Sequence, residues 1–98
     1  MQPLLNQQEE VFTVTIPANV LQPANGQLHQ VQLKPLSVHT FQLIAKAAKD
    51  DHALVPLLIV KESVVNPALN INQIKTMKVG LVHFLIKEIK KISGLPTP

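Results

Sequence analysis

The chain has 98 residues, of which 46% are hydrophobic and 15% charged, with a formal net charge of +3. These values predict one domain and exclude a solvated disordered chain, which needs low hydrophobicity and high charge. Cysteine is absent, which excludes disulfides and thiolate chemistry. All nine basic residues are lysine and only three residues are aromatic, so arginine contacts to bases and stacking platforms are missing or scarce. A small DNA-binding regulator is therefore only a remote alternative, and we expect no nucleic acid partner.

The two ends of the chain are predicted to lie outside the folded domain. Residues 1–10 are polar and rich in glutamine, and we interpret them as a flexible arm. They show neither the basic region nor the apolar stretch of a signal peptide, and the chain has no uninterrupted apolar run long enough to span a membrane. We therefore expect a cytoplasmic protein, in a bacterium or a phage-infected host, with one α+β domain at residues 11–95 and a tail at 96–98.

The first elements of that domain are two predicted β-strands. Val11–Ile16 is rich in β-branched residues and alternates in polarity, and Leu28–Lys34 alternates in the same way. The connection at 17–27 contains Asn25-Gly26, a pair that suits the positive φ angles of a tight turn. We expect an antiparallel β-hairpin with a long polar loop.

After Pro35 the apolar period changes from two to that of a helix. We predict helices at about 38–49, 54–64 and 71–92, so the fold class is α+β, an N-terminal antiparallel β-hairpin followed by a three-helix C-terminal part. The second segment is almost continuously apolar and β-branched, which would also fit a strand, but its length and its position between two helices favour a helix.

Start and stop signals support these predicted helices. Ser37 is a good N-cap for the first helix, and its core stripe should comprise Val38, Phe41, Ile44, Ala45 and Ala48. Asn70 and Gln73 form a variant of the capping box, and Gly94 suits the position after the last helical residue.

The last predicted helix has an unusually wide apolar face. On a helical wheel its apolar arc covers about 220°, against about 100° for an ordinary surface helix. The hairpin and the other two helices could cover this arc, or a protein partner or second copy could complete its burial. We predict partner contacts here, together with the 17–27 loop, through Val79, Leu81, Val82, Phe84, Ile86, Lys87, Lys90 and Lys91.

Residues with catalytic chemistry are few and scattered. The histidines, His29, His39, His52 and His83, show no helical metal-binding spacing, and the Asp50-Asp51 pair beside His52 is interpreted as a polar loop. Glycine stands only at three positions, too few for a phosphate-binding loop. We predict no catalytic residue, no cofactor and no metal, and hence a protein that is not an enzyme.

Five segments carry a family resemblance: Leu33–Ser37, Ile44–Asp51, Val65–Leu69, Gly80–Leu85 and Ile92–Leu95. Together they resemble small proteins encoded with phage tails and phage-tail-like contractile injection systems, described as tail assembly chaperones or small tail and baseplate assembly proteins. The resemblance covers about two thirds of the chain, and the matching residues are structural rather than catalytic.

The resemblance implies a hairpin followed by a compact helical part and a non-enzymatic role in assembly. Such a chaperone or adaptor would hold a tape-measure, tube or baseplate component until it is incorporated. Independently of the resemblance, the wide apolar arc of the last helix and the low content of charged residues lead us to expect a homo-oligomer, and we expect no contact with a membrane. The alternative implied by the same resemblance is a structural subunit that is retained in the tail or baseplate.

Overall fold

The computed structural model describes residues 10–20 and 29–95. Within them the elements, in chain order, are β1 (Phe12–Thr15), a short 3₁₀ helix (Ala18–Val20), β2 (Gln30–Leu33), α1 (Val38–Ala47), α2 (Leu54–Ser63), β3 (Val64–Asn66), α3 (Ile71–Lys75) and α4 (Val79–Ile92). The predicted α+β class is confirmed. The predicted arm (except residue 10), the Asn25-Gly26 turn and the tail at 96–98 lie outside the described residues.

The predicted hairpin is confirmed, and its two strands are the first two of a three-stranded sheet. β1 and β2 are antiparallel, with Phe12 opposite Leu33 and Thr15 opposite Gln30. One face of the hairpin enters the core, since Val31 and Leu33 are buried. This face is the one that the alternation of polarity in β2 predicts.

The third strand was not predicted, because we extended the second helix to residue 64. β3 pairs antiparallel with the other side of β2, and it follows α2 with no intervening loop. The buried Ser63 makes this junction: its hydroxyl donates to the Lys34 carbonyl oxygen at 2.5 Å, and its own carbonyl accepts from the Lys34 N–H at 2.9 Å. A strand of three residues is too short to show an alternation, so its formation depends on the open edge of β2.

The predicted helix at 71–92 is two helices, α3 and α4. The Thr76 hydroxyl donates to the Gln73 carbonyl oxygen at 2.8 Å, and the chain leaves the helical path before Val79. Thr76, Val79 and Gly80 are weak helix formers, which makes a break here inexpensive. Gly80 is therefore the second residue of α4. The predicted continuous helix at 71–92 would have placed it in the middle of a helix.

The predicted caps are confirmed. The Ser37 side chain accepts from the Thr40 N–H at 3.1 Å. Asn70 and Gln73 bond reciprocally, with distances of 2.8 Å from the Gln73 N–H and 2.9 Å from the Asn70 N–H. Gly94 adopts a φ of 78° just after α4, where a residue without Cβ is favoured.

The hydrophobic core lies between the sheet and the helices and includes Leu81, Leu85 and Ile89 of α4. α1 contributes little to it. Of its predicted core stripe, Ile44 and Ala48 are buried, but Ala45 is exposed, and Val38 and Phe41 are 76% and 40% exposed. The prediction was wrong for these three residues because, among the described elements, α1 makes substantial contact only with α2.

Candidate functional site

An open groove runs between α2 and α4 and has a volume of about 620 Å³. Both helices contribute residues to it at helical spacing, so each presents one face to the space between them. The lining residues are Val55, Pro56, Ile59, His83, Ile86, Lys87 and Lys90.

The floor of the groove is apolar. Ile59 is buried, and Val55, Pro56 and Ile86 are half-buried, so part of their apolar surface stays in contact with water. Transfer of such surface to a protein partner is favourable by about 25 cal/mol per Å². The floor can therefore contribute binding free energy without rearrangement of the core below it.

One wall of the groove is basic. His83, Lys87 and Lys90 lie at positions i, i+4 and i+7 of α4, which places them along one side of that helix. Within residues 10–20 and 29–95 neither Lys87 nor Lys90 forms a salt bridge, whereas Lys91 pairs with Glu88 at 3.3 Å. None of the described residues that line the groove is acidic, so an acidic ligand would meet the positive charge of the two lysines there.

The structure brings only part of the predicted partner-binding set together. Ile86, Lys87 and Lys90 converge on the groove. Val79 is 70% exposed at the start of α4, and Lys91 is exposed beside Glu88. The remaining predicted contacts, which pack against the core, are Val82, Phe84 and Leu81.

Leu81 is a correction to the predicted surface. It is only 1% exposed, so its side chain is not available to a partner of the folded domain. With Leu85 and Ile89 it forms the buried line of α4, because α2 and the short 3₁₀ helix pack against α4. The width of the apolar arc by itself therefore does not require a partner.

In the described part of the chain, large exposed apolar residues lie mainly outside α4. They are Val11, Phe12, Val38, Phe41, Leu43, Val65, Val79 and Leu95, which places two at the start of β1 and three on α1. The sequence does not indicate that α1 is the more exposed of the two helices, since α1 and α4 both carry apolar residues at helical spacing.

Sequence reasoning missed the α2 side of the groove and His83. Val55 and Ile59 are four residues apart, and His83 is four residues before Lys87, so both pairs share a helix face. That spacing could have indicated two faces, but only the tertiary packing shows that the faces adjoin. Most of the predicted 17–27 loop contact lies outside the described residues.

No three side chains among His, Asp and Glu of residues 10–20 and 29–95 are close enough to hold a metal ion. Ser63 is buried with its hydroxyl engaged by Lys34, and all four histidines are exposed. The α2–α4 groove offers apolar contact and positive charge side by side.

Comparison of the chain with protein-family models, with curated proteins and with solved structures found no match. Among the described residues no helix is both long enough and apolar enough to cross a membrane.

Proposed function

We propose that the protein is a non-enzymatic assembly chaperone or adaptor, which binds a tape-measure, tube or baseplate component during assembly of a phage tail or phage-tail-like contractile particle. The observation that carries a binding role is the α2–α4 groove, which has an apolar floor and a basic wall whose Lys87 and Lys90 form no salt bridge among the described residues. The resemblance of Val31–Leu95 supports the setting in tail assembly. In that setting the protein acts in the bacterial or phage-infected host cytoplasm.

The groove fits an amphipathic helix that carries acidic residues along one flank. Apolar anchors at positions i, i+3 or i+4, and i+7 of such a helix would cover Ile59 and Ile86. Carboxylates on its flank would face Lys87 and Lys90, which have no salt-bridge partner among the described residues. Apolar contact would supply most of the affinity, and the charges would select the orientation and speed the encounter.

Binding to the tape-measure, tube and baseplate proteins of the same particle tests this proposal. Each candidate is co-expressed with the chain, and the affinity of any complex is measured by calorimetry. The double variant Lys87→Glu/Lys90→Glu should weaken binding at least about tenfold, since it replaces two attractions by two repulsions. The matched control is Lys46→Glu/Lys49→Glu, which makes the same charge change at exposed positions of and just after α1.

Equal loss of affinity in both double variants would indicate a non-specific effect of net charge and would contradict the groove. Failure of all three classes of tail protein to bind would contradict the assembly role. Higher salt should weaken the authentic complex, because the basic wall is solvent-exposed.

Mass spectrometry of purified particles separates the chaperone from the structural subunit. A chaperone is released before maturation, so the protein should be absent from particles while its deletion reduces their yield. Stoichiometric retention in the particle would replace the chaperone proposal by the structural one.

A further inference from the structure

β1 forms an edge of the sheet, and its open side has a defined set of main-chain groups. The order of the described strands is β1-β2-β3, so among them β1 has a neighbour on one side only. The Ile16 N–H donates to the His29 carbonyl oxygen at 2.8 Å, which shows that even-numbered residues of this strand turn their main-chain groups toward β2. The N–H and C=O groups of Val11, Thr13 and Thr15 consequently point to the open edge, and within the described residues nothing bonds them.

In the described part of the chain this edge shows few of the features by which proteins usually prevent edge pairing, apart from its length of four residues and Pro17 two residues after its end. Residues 11–16 contain no charged residue, no proline and no glycine. The ladder between β1 and β2 is unbroken, since the one irregularity in the sheet lies between β2 and β3. The opposite edge is different, because β3 has only three residues and Pro67 follows it directly.

We propose that β1 of a second copy of this chain pairs antiparallel with this edge, so that one sheet continues through a twofold dimer. With the axis at Thr13, Thr13 lies opposite Thr13 of the partner subunit, and Val11 lies opposite Thr15 of the partner subunit. Each outward N–H then meets an outward carbonyl of the same three residues in the other copy. The hydrogen-bonding pattern of the edge is thus complementary to itself, as a twofold interface requires.

The side chains along β1 support a second copy as the occupant. Phe12 is 37% exposed although it shares a strand face with Val14 and the buried Ile16. The twofold register places Phe12 opposite Val14 of the partner subunit, in the closer, non-hydrogen-bonded type of pair. Val11, 47% exposed, gains a neighbour on the other face, and no pair in the register brings two charges together.

The state of association tests the pairing directly. Sedimentation of the full chain at about 100 µM should give a dimer, since even a micromolar dissociation constant yields mostly dimer at this concentration. Thr13→Lys should give a monomer, because two ammonium groups would face each other across the axis. The matched control Gln30→Lys adds the same charge to the same sheet face on the central strand β2 and should remain dimeric.

Spin labels give a second readout that does not depend on disrupting the dimer. The chain has no cysteine, so Thr13→Cys and Gln30→Cys each introduce one labelling site. Across the proposed axis the two Thr13 positions are about 5 Å apart, and the two Gln30 positions at least about 14 Å apart. Strong dipolar broadening is expected at position 13 and not at position 30.

A monomer at about 100 µM would overturn the proposal. A dimer that survives Thr13→Lys, or one whose position-13 labels show no short distance, would overturn it as well and would place the interface elsewhere. The edge of β1 shares no residue with the α2–α4 groove. A result that contradicts the dimer would therefore leave the proposed function unchanged, and a result that contradicts the groove would leave the dimer unchanged.

Discussion

Helices α1 and α4 both carry apolar residues on one side, but they differ in how the rest of the domain uses them. α4 places Leu81, Leu85 and Ile89 in the core, each at 1% exposure or less. α1 buries Ile44 and leaves Val38 and Phe41 largely in contact with water.

The difference follows from the neighbours of each helix. α4 packs against α2 and the 3₁₀ helix, and its last turn is joined to the segment before α1 by a hydrogen bond from the Leu36 N–H to the Ser93 hydroxyl at 2.9 Å. α1 packs substantially only against α2 among the described elements. An apolar stripe is therefore necessary for burial of a helix but is not sufficient.

The same substitution in the two helices should have very different effects. Leu85→Ala removes a fully buried side chain of α4 and should lower the free energy of unfolding by about 2–5 kcal/mol. Leu43→Ala removes a side chain of α1 that is 51% exposed and should change it by less than about 0.5 kcal/mol. Urea unfolding monitored by circular dichroism measures both free energies of unfolding. Similar decreases in the two variants would contradict the difference between α1 and α4.

The hydrogen bond between the end of α4 and the segment before α1 can be removed at Ser93. Ser93→Ala should lower the free energy of unfolding by about 1 kcal/mol, because the half-buried Leu36 N–H loses its acceptor. Ser93→Thr keeps the hydroxyl and should recover most of this loss. An unchanged urea-unfolding midpoint for Ser93→Ala would mean that water replaces the hydrogen bond without loss of stability.

The end of α4 depends on a residue without a side chain. Gly94 has a φ of 78°, and the Leu95 N–H donates to the Lys90 carbonyl oxygen at 2.9 Å. Gly94→Ala should cost about 1 kcal/mol through backbone strain alone, since an added Cβ meets no atom within 4 Å. Gly94→Asn should cost less, because asparagine tolerates this conformation better. Thermal or urea unfolding measures both variants, and equal decreases in the free energy of unfolding for Gly94→Ala and Gly94→Asn would point to a steric effect instead.

The smallest expected effect concerns the first residue of each helix. Val38 and Val79 are 76% and 70% exposed, and neither helix has an acidic residue in its first turn. Val38→Glu and Val79→Glu should each raise the free energy of unfolding by about 0.3–1 kcal/mol, through interaction with the helix dipole. Urea midpoints at low ionic strength measure this gain. A clear loss for Val38→Glu alone would show that the exposed face of α1 is covered in solution.

Local patterns in the sequence were sufficient for much of the fold. The alternation at Val31 and Leu33 predicted the strand face that is buried, and Ser37, Asn70 and Gly94 marked helix ends correctly. These features depend on contacts within a few residues, so the sequence contains all that is needed to recognise them.

Tertiary packing decided what local patterns could not. β3 exists because β2 offers it an edge, and the break before α4 depends on small differences in helix propensity that packing can override. The same holds for the candidate site: the spacing of His83, Lys87 and Lys90 is visible in the sequence, but the floor opposite them comes from α2, more than 20 residues earlier in the chain. Burial and exposure are properties of neighbouring surfaces, so α1 and α4 acquired their different roles only when the elements packed together.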